Sequence, residues 1–153
     1  MSEIERIRDQ LKRSHEGKAW HGPSVREALE GISAEQAAAR PLAAGHTIFE
    51  LVLHIVAWRN VARRRLEGER IESLPDKEDF PPVVVSGEDA WKLALAKLDE
   101  SFARLDEAIS RFEESRLEEP VPERGQSYYT MLHGVIQHDL YHTGQIVLLR
   151  KAI

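Results

Sequence analysis

Two histidines near the end of the chain have the spacing of a helical metal site. His138 and His142 lie four residues apart in the stretch His138-Asp-Leu-Tyr-His142, so on an α-helix they share one face, one turn above the other. An imidazole without a partner in a packed interior costs about 1–3 kcal/mol, and a divalent metal ion would satisfy both rings at once. The apolar residues that recur around them, and predict a core-facing stripe, are Met131, Val135, Ile146 and Leu149.

A third histidine lies in the most apolar stretch of the chain. His54 is the only strongly polar residue between Glu50 and Arg59. If its helix faces the helix that carries His138 and His142, three imidazoles meet in the interior. Three histidines with an open coordination position are the pattern of catalytic rather than structural zinc sites. We therefore predict that His54, His138 and His142 bind a divalent metal ion.

Each of these histidines has a simpler interpretation when it is taken alone. A single histidine on an apolar face is more often a hydrogen-bonded core residue, and a spacing of four residues also arises by chance. The chain contains no cysteine, so a transition-metal site in it has to use His, Asp or Glu. The combination of three histidines on inferred core faces favours the metal site over a structural bundle with hydrogen-bonded histidines.

The polar residues next to these histidines have ordinary explanations. Glu50 is the third residue after Thr47, which is the spacing of a capping box, so we assign it to the helix start. His133 precedes His138 by five residues and turns away from the metal-facing side at 100° per residue. Asp139 is expected to be a surface charge.

Tyr141 and Gln145 flank the pair, where they can line a pocket, hold a water molecule or simply pack in the bundle. His15, His21 and His46 fall in or near predicted loops, so we expect exposed or cap-associated rings, with His21 beside Trp20 a candidate for a pocket mouth. The run Arg63-Arg64-Arg65 is expected to form a solvated face near a helix C-terminus.

Hydrophobic periodicity and capping signals predict helices along nearly the whole chain. Residues 69–85 contain Pro75, Pro81 and Pro82 and are expected to form a long loop. Four long amphipathic helices without a credible sheet predict an all-α four-helix bundle, with one domain over residues 1–153. The predicted helices cover residues 2–15, 25–30, a short segment after Ser33, 48–67, about 86–114, and 128–151 after an N-cap at Ser127.

Composition narrows the classes of function. A net charge of −5 argues against a general nucleic-acid binder. No apolar run approaches the roughly 18–20 residues of a membrane span, and the start of the chain alternates charges without an apolar signal region. The sequence predicts a soluble cytoplasmic protein that binds neither nucleic acid nor membrane.

The segments Ile48-Phe-Glu-Leu-Val-Leu-His54-Ile-Val-Ala-Trp58 and His138-Asp-Leu-Tyr-His142-Thr-Gly-Gln145-Ile resemble the DinB/YfiT-like superfamily of metal-binding four-helix bundles. The resemblance covers most of the chain and implies up-down-down-up topology, frequent homodimers, and nickel or zinc held by residues that match His54, His138 and His142. It also implies a metal-dependent hydrolase, or a transferase or isomerase that uses a low-molecular-weight thiol such as bacillithiol or mycothiol.

The residues alone leave three functions open. A metal with three neutral histidine ligands can activate a water or a thiol, and because the chain has no cysteine, a thiol would have to come from a cofactor. A non-enzymatic metal-binding or stress-response module would use the same ligands without a substrate pocket. A purely structural bundle would bind no metal at all.

Overall fold

The computed structural model describes residues 1–153, and all its regular elements are helices, apart from one isolated antiparallel bridge between Pro120 and Ser127. No helix is both long enough and apolar enough to cross a lipid bilayer. The helices are α1 (Glu3–Glu16), α2 (Val25–Leu29), α3 (Ala34–Ala38), α4 (Ile48–Leu66), α5 (Asp76–Asp79), α6 (Glu88–Ser110) and α7 (Tyr128–Arg150), with a 3-10 turn at Glu114–Arg116.

The predicted starts of α2, α3, α4 and α7 are confirmed by their caps. The hydroxyl of Thr47 accepts from the backbone N–H of Glu50, and the Glu50 carboxylate accepts from the N–H of Thr47. The same reciprocal box starts α2 at Ser24 and α3 at Ser33, and Ser127 caps α7 as expected. Each box satisfies backbone donors that a helix leaves free at its first turn.

The structure differs from the prediction at both ends of α6 and in the loop before it. Helix α6 begins at Glu88 rather than near Ser86, and its N-cap, Gly87, makes no side-chain bond. The loop after α4 contains the one-turn helix α5, which begins directly after Pro75, a residue suited to a helix start because it lacks a backbone N–H. Helix α6 ends at Ser110, four residues before the predicted end, because the N–H of Phe112 bonds to the carbonyl of Ile109 and closes a tighter turn.

Helix α1 runs antiparallel to α6. Arg8 near the start of α1 forms an ion pair with Asp106 near the end of α6, at 2.8 Å. His15 at the end of α1 bonds to Asp99, one layer closer to the start of α6, at 3.0 Å.

Helices α4 and α6 run parallel, and α7 runs antiparallel to α4. The rings of Phe49 and Trp91, near the starts of α4 and α6, lie 5.2 Å apart. Farther along both helices, Arg59 of α4 donates to the carbonyl of Leu98 of α6. His54 early in α4 packs against His142 in the second half of α7, with ring centroids 4.5 Å apart, whereas Arg59 farther along α4 bonds to Asp139 earlier in α7. The four long helices therefore form the expected up-down-down-up bundle.

This topology decides where the chain between α4 and α6 must run. Two parallel helices that follow each other in sequence cannot be joined by a tight turn, so the connection has to return along the bundle. Residues 67–87 make this return, and on the way Asp79 and Phe80 contact the His54 side chain. The crossover therefore covers the histidine end of α4.

The bundle interior consists of two apolar clusters separated by a polar layer. One cluster surrounds Phe49, Ile55, Leu98 and Ile146, and the other surrounds Leu11, Ala62, Leu105 and Leu132. Between them, Arg59 donates from Nε to Asp139 Oδ2 at 2.8 Å, and both side chains are fully buried.

The polar layer links all four long helices. Arg59 also donates to the Leu98 carbonyl at 3.2 Å and from Nη2 to His15 Nδ1 at 3.2 Å. Because guanidinium cannot accept, His15 keeps its proton on Nε2 and donates it to Asp99 Oδ1 at 3.0 Å. Burial raises the pKa of the Asp139 carboxyl, while the neighbouring Arg59 acts in the opposite direction.

Three sequence-based expectations are therefore wrong. Asp139 is not a surface charge, since it lies on the core stripe of α7 and has its partner on α4. His15 is not exposed, because it closes the polar layer and stacks on Phe102 with ring centroids 4.4 Å apart. Arg65 is not solvated, because its guanidinium donates to the Ile71 carbonyl in the crossover.

Candidate metal centre

The structure brings together the three histidines that the sequence singled out. His54 in the second turn of α4 faces His138 and His142, which occupy successive turns of the antiparallel α7. His138 Nε2 lies 2.9 Å from His54 Nε2 and 3.1 Å from His142 Nε2. The three ligand atoms lie within 4.8 Å of one another, so a single metal ion can be held between them.

Hydrogen bonds on the far side of two rings define which nitrogen faces the centre. His54 Nδ1 lies 2.6 Å from the backbone carbonyl of Asp79, which can only accept, so this nitrogen carries the proton. His142 Nδ1 likewise donates to Gln145 Oε1 at 2.6 Å. Both rings therefore turn an unprotonated Nε2 towards the centre.

In this arrangement at most one of the three Nε2 atoms carries a proton. With His54 and His142 as acceptors, only His138 can donate from Nε2, and one N–H cannot serve two acceptors equally well. His138 Nδ1 is buried and has no hydrogen-bond partner in the protein. A cation between three Nε2 lone pairs resolves the conflict, because neutral imidazole nitrogens are the ligands that zinc, nickel and related ions take.

Burial keeps the three rings neutral. Removal from water lowers the pKa of His138 to about 3, and His142, His54 and Arg59 nearby act in the same direction. Burial also lowers the pKa of His54 and of His142, although the Asp79 carbonyl and Gln145 oppose the shift in each case. Protons therefore compete poorly with a metal for these nitrogens.

The crossover supplies contacts that the sequence analysis missed. The ring of Phe80 stacks on His54 with centroids 3.8 Å apart and 7° between planes, and His46 stacks on the other side of Phe80 at 3.8 Å. Trp58, one turn after His54, donates from its indole to Asp79 Oδ1 at 2.7 Å. The pair Asp79-Phe80 gave no periodic signal, and only the return of the chain along α4 places it on His54.

A cavity of about 490 Å³ opens beside the histidines, between α4 and α7. The three histidines line one end of it, and Trp58, Met131 and Val135 line its middle. This volume is within the range of small-molecule sites. The histidine centre is therefore accessible to a ligand rather than sealed in the core.

Of the other candidate residues, only Gln145 hydrogen-bonds to an imidazole ring of the centre. Glu50 belongs to its capping box and also pairs with Arg40, outside the centre. His133 is also outside it and packs against the ring of Tyr129 at 4.4 Å. Gln145 holds His142, as described, whereas Tyr141 is two-thirds exposed at the cavity edge.

His21 and His46 are both exposed as expected, and neither lines this cavity. His21 therefore does not form the pocket mouth. His46 is linked to the histidine centre only through Phe80, on which it stacks.

Comparison with known proteins identifies the family. A solved structure described as a conserved protein from Enterococcus faecalis superposes with a TM-score of 0.77 at 18% sequence identity, covering 100% of this chain and 98% of that one, a likeness that shows the fold alone. No curated protein matches the sequence. The family profile described as the DinB superfamily matches residues 19–146, a span that contains all three histidines. The chain belongs to the DinB superfamily.

Proposed function

We propose that this protein is a metal-dependent enzyme in which His54, His138 and His142 hold one divalent ion, nickel or zinc, at the end of the cavity. The observation that carries the proposal is the convergence of three Nε2 atoms, two of them unprotonated, at an accessible position. A sealed site would favour a non-enzymatic metal-binding or stress-response module, and the adjoining cavity favours an enzyme.

The protein's own residues orient the ligands and limit the chemistry. The Asp79 carbonyl and Gln145 hold two imidazole rings in the tautomer that presents Nε2, a role that such outer partners play in metal sites. A divalent ion held by these histidines would lower the pKa of a bound water or thiol and would so supply a nucleophile at neutral pH. None of the residues that line the cavity is acidic, so no carboxylate there can act as a general base.

Two reactions fit this site, and they differ in the nucleophile. Water gives a hydrolase, and an external low-molecular-weight thiol gives an S-transferase, since the chain has no cysteine of its own. Turnover of ester, amide and electrophilic substrates by the metal-loaded protein, with and without added bacillithiol or mycothiol, separates the two. Thiol-independent hydrolysis contradicts the transferase, and no turnover under either condition supports the non-enzymatic module.

The metal centre itself is tested by metal analysis of protein purified without a histidine tag. We expect about one zinc or nickel per chain in the wild type and a loss of most of it in His138→Ala. The matched control is His133→Ala, on the same helix but outside the centre, which should keep its metal. Equal, near-zero metal content in the wild type and His138→Ala would defeat the metal-dependent function.

The assembly state is also part of the proposal. The homodimer implied by the family resemblance stays a prediction, and light scattering after size-exclusion chromatography measures it directly.

A further inference from the structure

Two arginines line the end of the cavity opposite the histidines. Arg65, at the last turn of α4, is only 3% exposed, and it donates from Nε and Nη2 to the Ile71 carbonyl at 3.0 and 2.6 Å. Arg124, in the loop before α7, donates to the Glu72 carbonyl at 2.9 Å, and Arg65 Nη2 reaches the same oxygen at 3.4 Å. The two guanidinium groups are therefore neighbours.

Neither arginine has an anionic partner. Both lack an ion pair with a carboxylate, and all their bonds in the protein go to backbone carbonyls. Arg59, which is equally buried, is matched by the carboxylate of Asp139. The chain thus supplies a counter-charge for one buried arginine and none for the other, although a buried charge is costly unless it is paired.

The electrostatic consequence is a positive end of the cavity. Burial lowers the pKa of Arg65, and the charge of Arg124 adds to the effect. No acidic residue lines the cavity to offset the two positive charges. An oxyanion that reached this end would gain charge-assisted bonds from guanidinium groups whose geometry suits carboxylate and phosphate.

The spacing along α4 defines the length of the cavity. His54, Trp58, Ala62 and Arg65 all line it, and they follow each other at intervals of three or four residues, which is one stripe of a helix. The eleven steps from His54 to Arg65 correspond to about 16 Å along the axis. Between the two ends the apolar side chains that line the cavity are those of Trp58, Ala62, Met131 and Val135.

We infer that the cavity takes an elongated small molecule whose oxyanionic end, a carboxylate or a phosphate, binds to Arg65 and Arg124. Its apolar middle lies along Trp58, Ala62 and Met131, and its reactive end lies at the three histidines. The placement of the reactive end depends on the proposed function, whereas the anion site depends only on the two arginines. The two can therefore fail separately.

The test uses three probes of equal chain length with the full-length, chelator-treated protein, so that no metal can bind the anion. Octanoate, octyl phosphate and octanol are titrated by calorimetry against the wild type, Arg124→Gln and Arg64→Gln. Arg124 is exposed and can be replaced without opening the core. Arg64→Gln is the matched control, since it removes the same charge one residue from Arg65 but outside the cavity.

We expect at least one anionic probe to bind the wild type roughly tenfold or more tightly than octanol, and Arg124→Gln to lose about tenfold of that affinity, the size of one charge-assisted bond. Arg64→Gln should bind like the wild type. Preference for octanoate or for octyl phosphate tells a carboxylate from a phosphate ligand. Equal binding of octanol, no binding of either anion, or an equal loss in both variants would overturn the inference.

Zinc and nickel binding by the same variants is measured as well, so that failure of the anion site can be told from failure of the metal centre. Zinc retained in all of them, with no anion preference in the wild type, would remove the anion site and leave the proposed function. An anion preference that depends on Arg124, in a protein that binds neither zinc nor nickel, would leave the anion site and remove the metal-dependent function.

Discussion

The stability of the metal-free protein should fall sharply below neutral pH because His15 is buried as a neutral ring. Its Nδ1 accepts from Arg59 and its Nε2 donates to Asp99, which in turn pairs with Arg26 at 2.6 Å. A second proton on this ring would point an N–H at a guanidinium. Burial, together with Arg59 and Arg26, lowers the pKa of His15 from 6.5 to about 3.

The sign and size of the effect follow from this shift. In the unfolded chain the ring takes up a proton below pH 6.5, whereas in the folded protein it stays neutral down to about pH 3. The free energy of unfolding that His15 contributes is therefore complete above pH 6.5 and is lost as the pH falls through that window. At pH 5.0 the loss from this one residue amounts to roughly 2 kcal/mol, at 1.36 kcal/mol per pKa unit.

The assay is urea unfolding at pH 7.5 and pH 5.0, in the presence of a chelator, for the wild type and His15→Gln. Glutamine keeps a donor and an acceptor but does not titrate, so the stability difference between the two proteins should narrow by roughly 2 kcal/mol at pH 5.0. The buried metal-site histidines titrate in both proteins and cancel. His21→Gln, at an exposed position, is the matched control and should follow the wild type at both pH values.

The reasoning is refuted if the difference between the wild type and His15→Gln stays constant, within about 0.5 kcal/mol, between the two pH values. That result would mean that His15 takes up its proton over the same pH range in the folded and the unfolded protein, and that its ring does not accept from Arg59.

Further substitutions test the other buried contacts. Asp139→Leu leaves Arg59 buried without its carboxylate and should lower the free energy of unfolding in urea by about 3–5 kcal/mol. The double variant with Arg59→Met should recover most of that loss. A double variant as unstable as Asp139→Leu argues against the pair. Gln145→Leu removes the acceptor that orients His142 and should weaken zinc affinity by roughly 10–100-fold in a chelator competition titration, whereas unchanged affinity would show that the ring needs no such support. Thr47→Ala removes the cap of α4 and should lower stability by about 1 kcal/mol, and a thermal unfolding midpoint equal to that of the wild type would contradict that role.

The helices and the histidine cluster could be predicted because their causes are local. Capping boxes such as Thr47 with Glu50 join residues three apart, and the spacing of apolar residues within a helix reports which face is buried. His54, His138 and His142 stood out since a polar ring inside an apolar stripe needs a partner. Their convergence followed once two such stripes had to face each other in one bundle.

Asp139 and His15 were misplaced for a physical reason. A carboxylate one residue from a core-facing position is most simply solvated, and only a buried partner of opposite charge reverses that expectation. That partner, Arg59, lies 80 residues from Asp139 and 44 from His15 in the chain. Periodicity along one helix carries no information about a charge on another.

The sequence by itself determined the helices, the all-α bundle and the three histidines of the candidate metal centre. Tertiary structure alone decided what surrounds them: the Asp79 carbonyl on His54, the cavity beside the centre, and the two arginines without counter-charges at its far end. The reason is the parallel arrangement of α4 and α6, which forces residues 67–87 back along the bundle. That return brings crossover carbonyls to His54 and to Arg65, at opposite ends of one cavity.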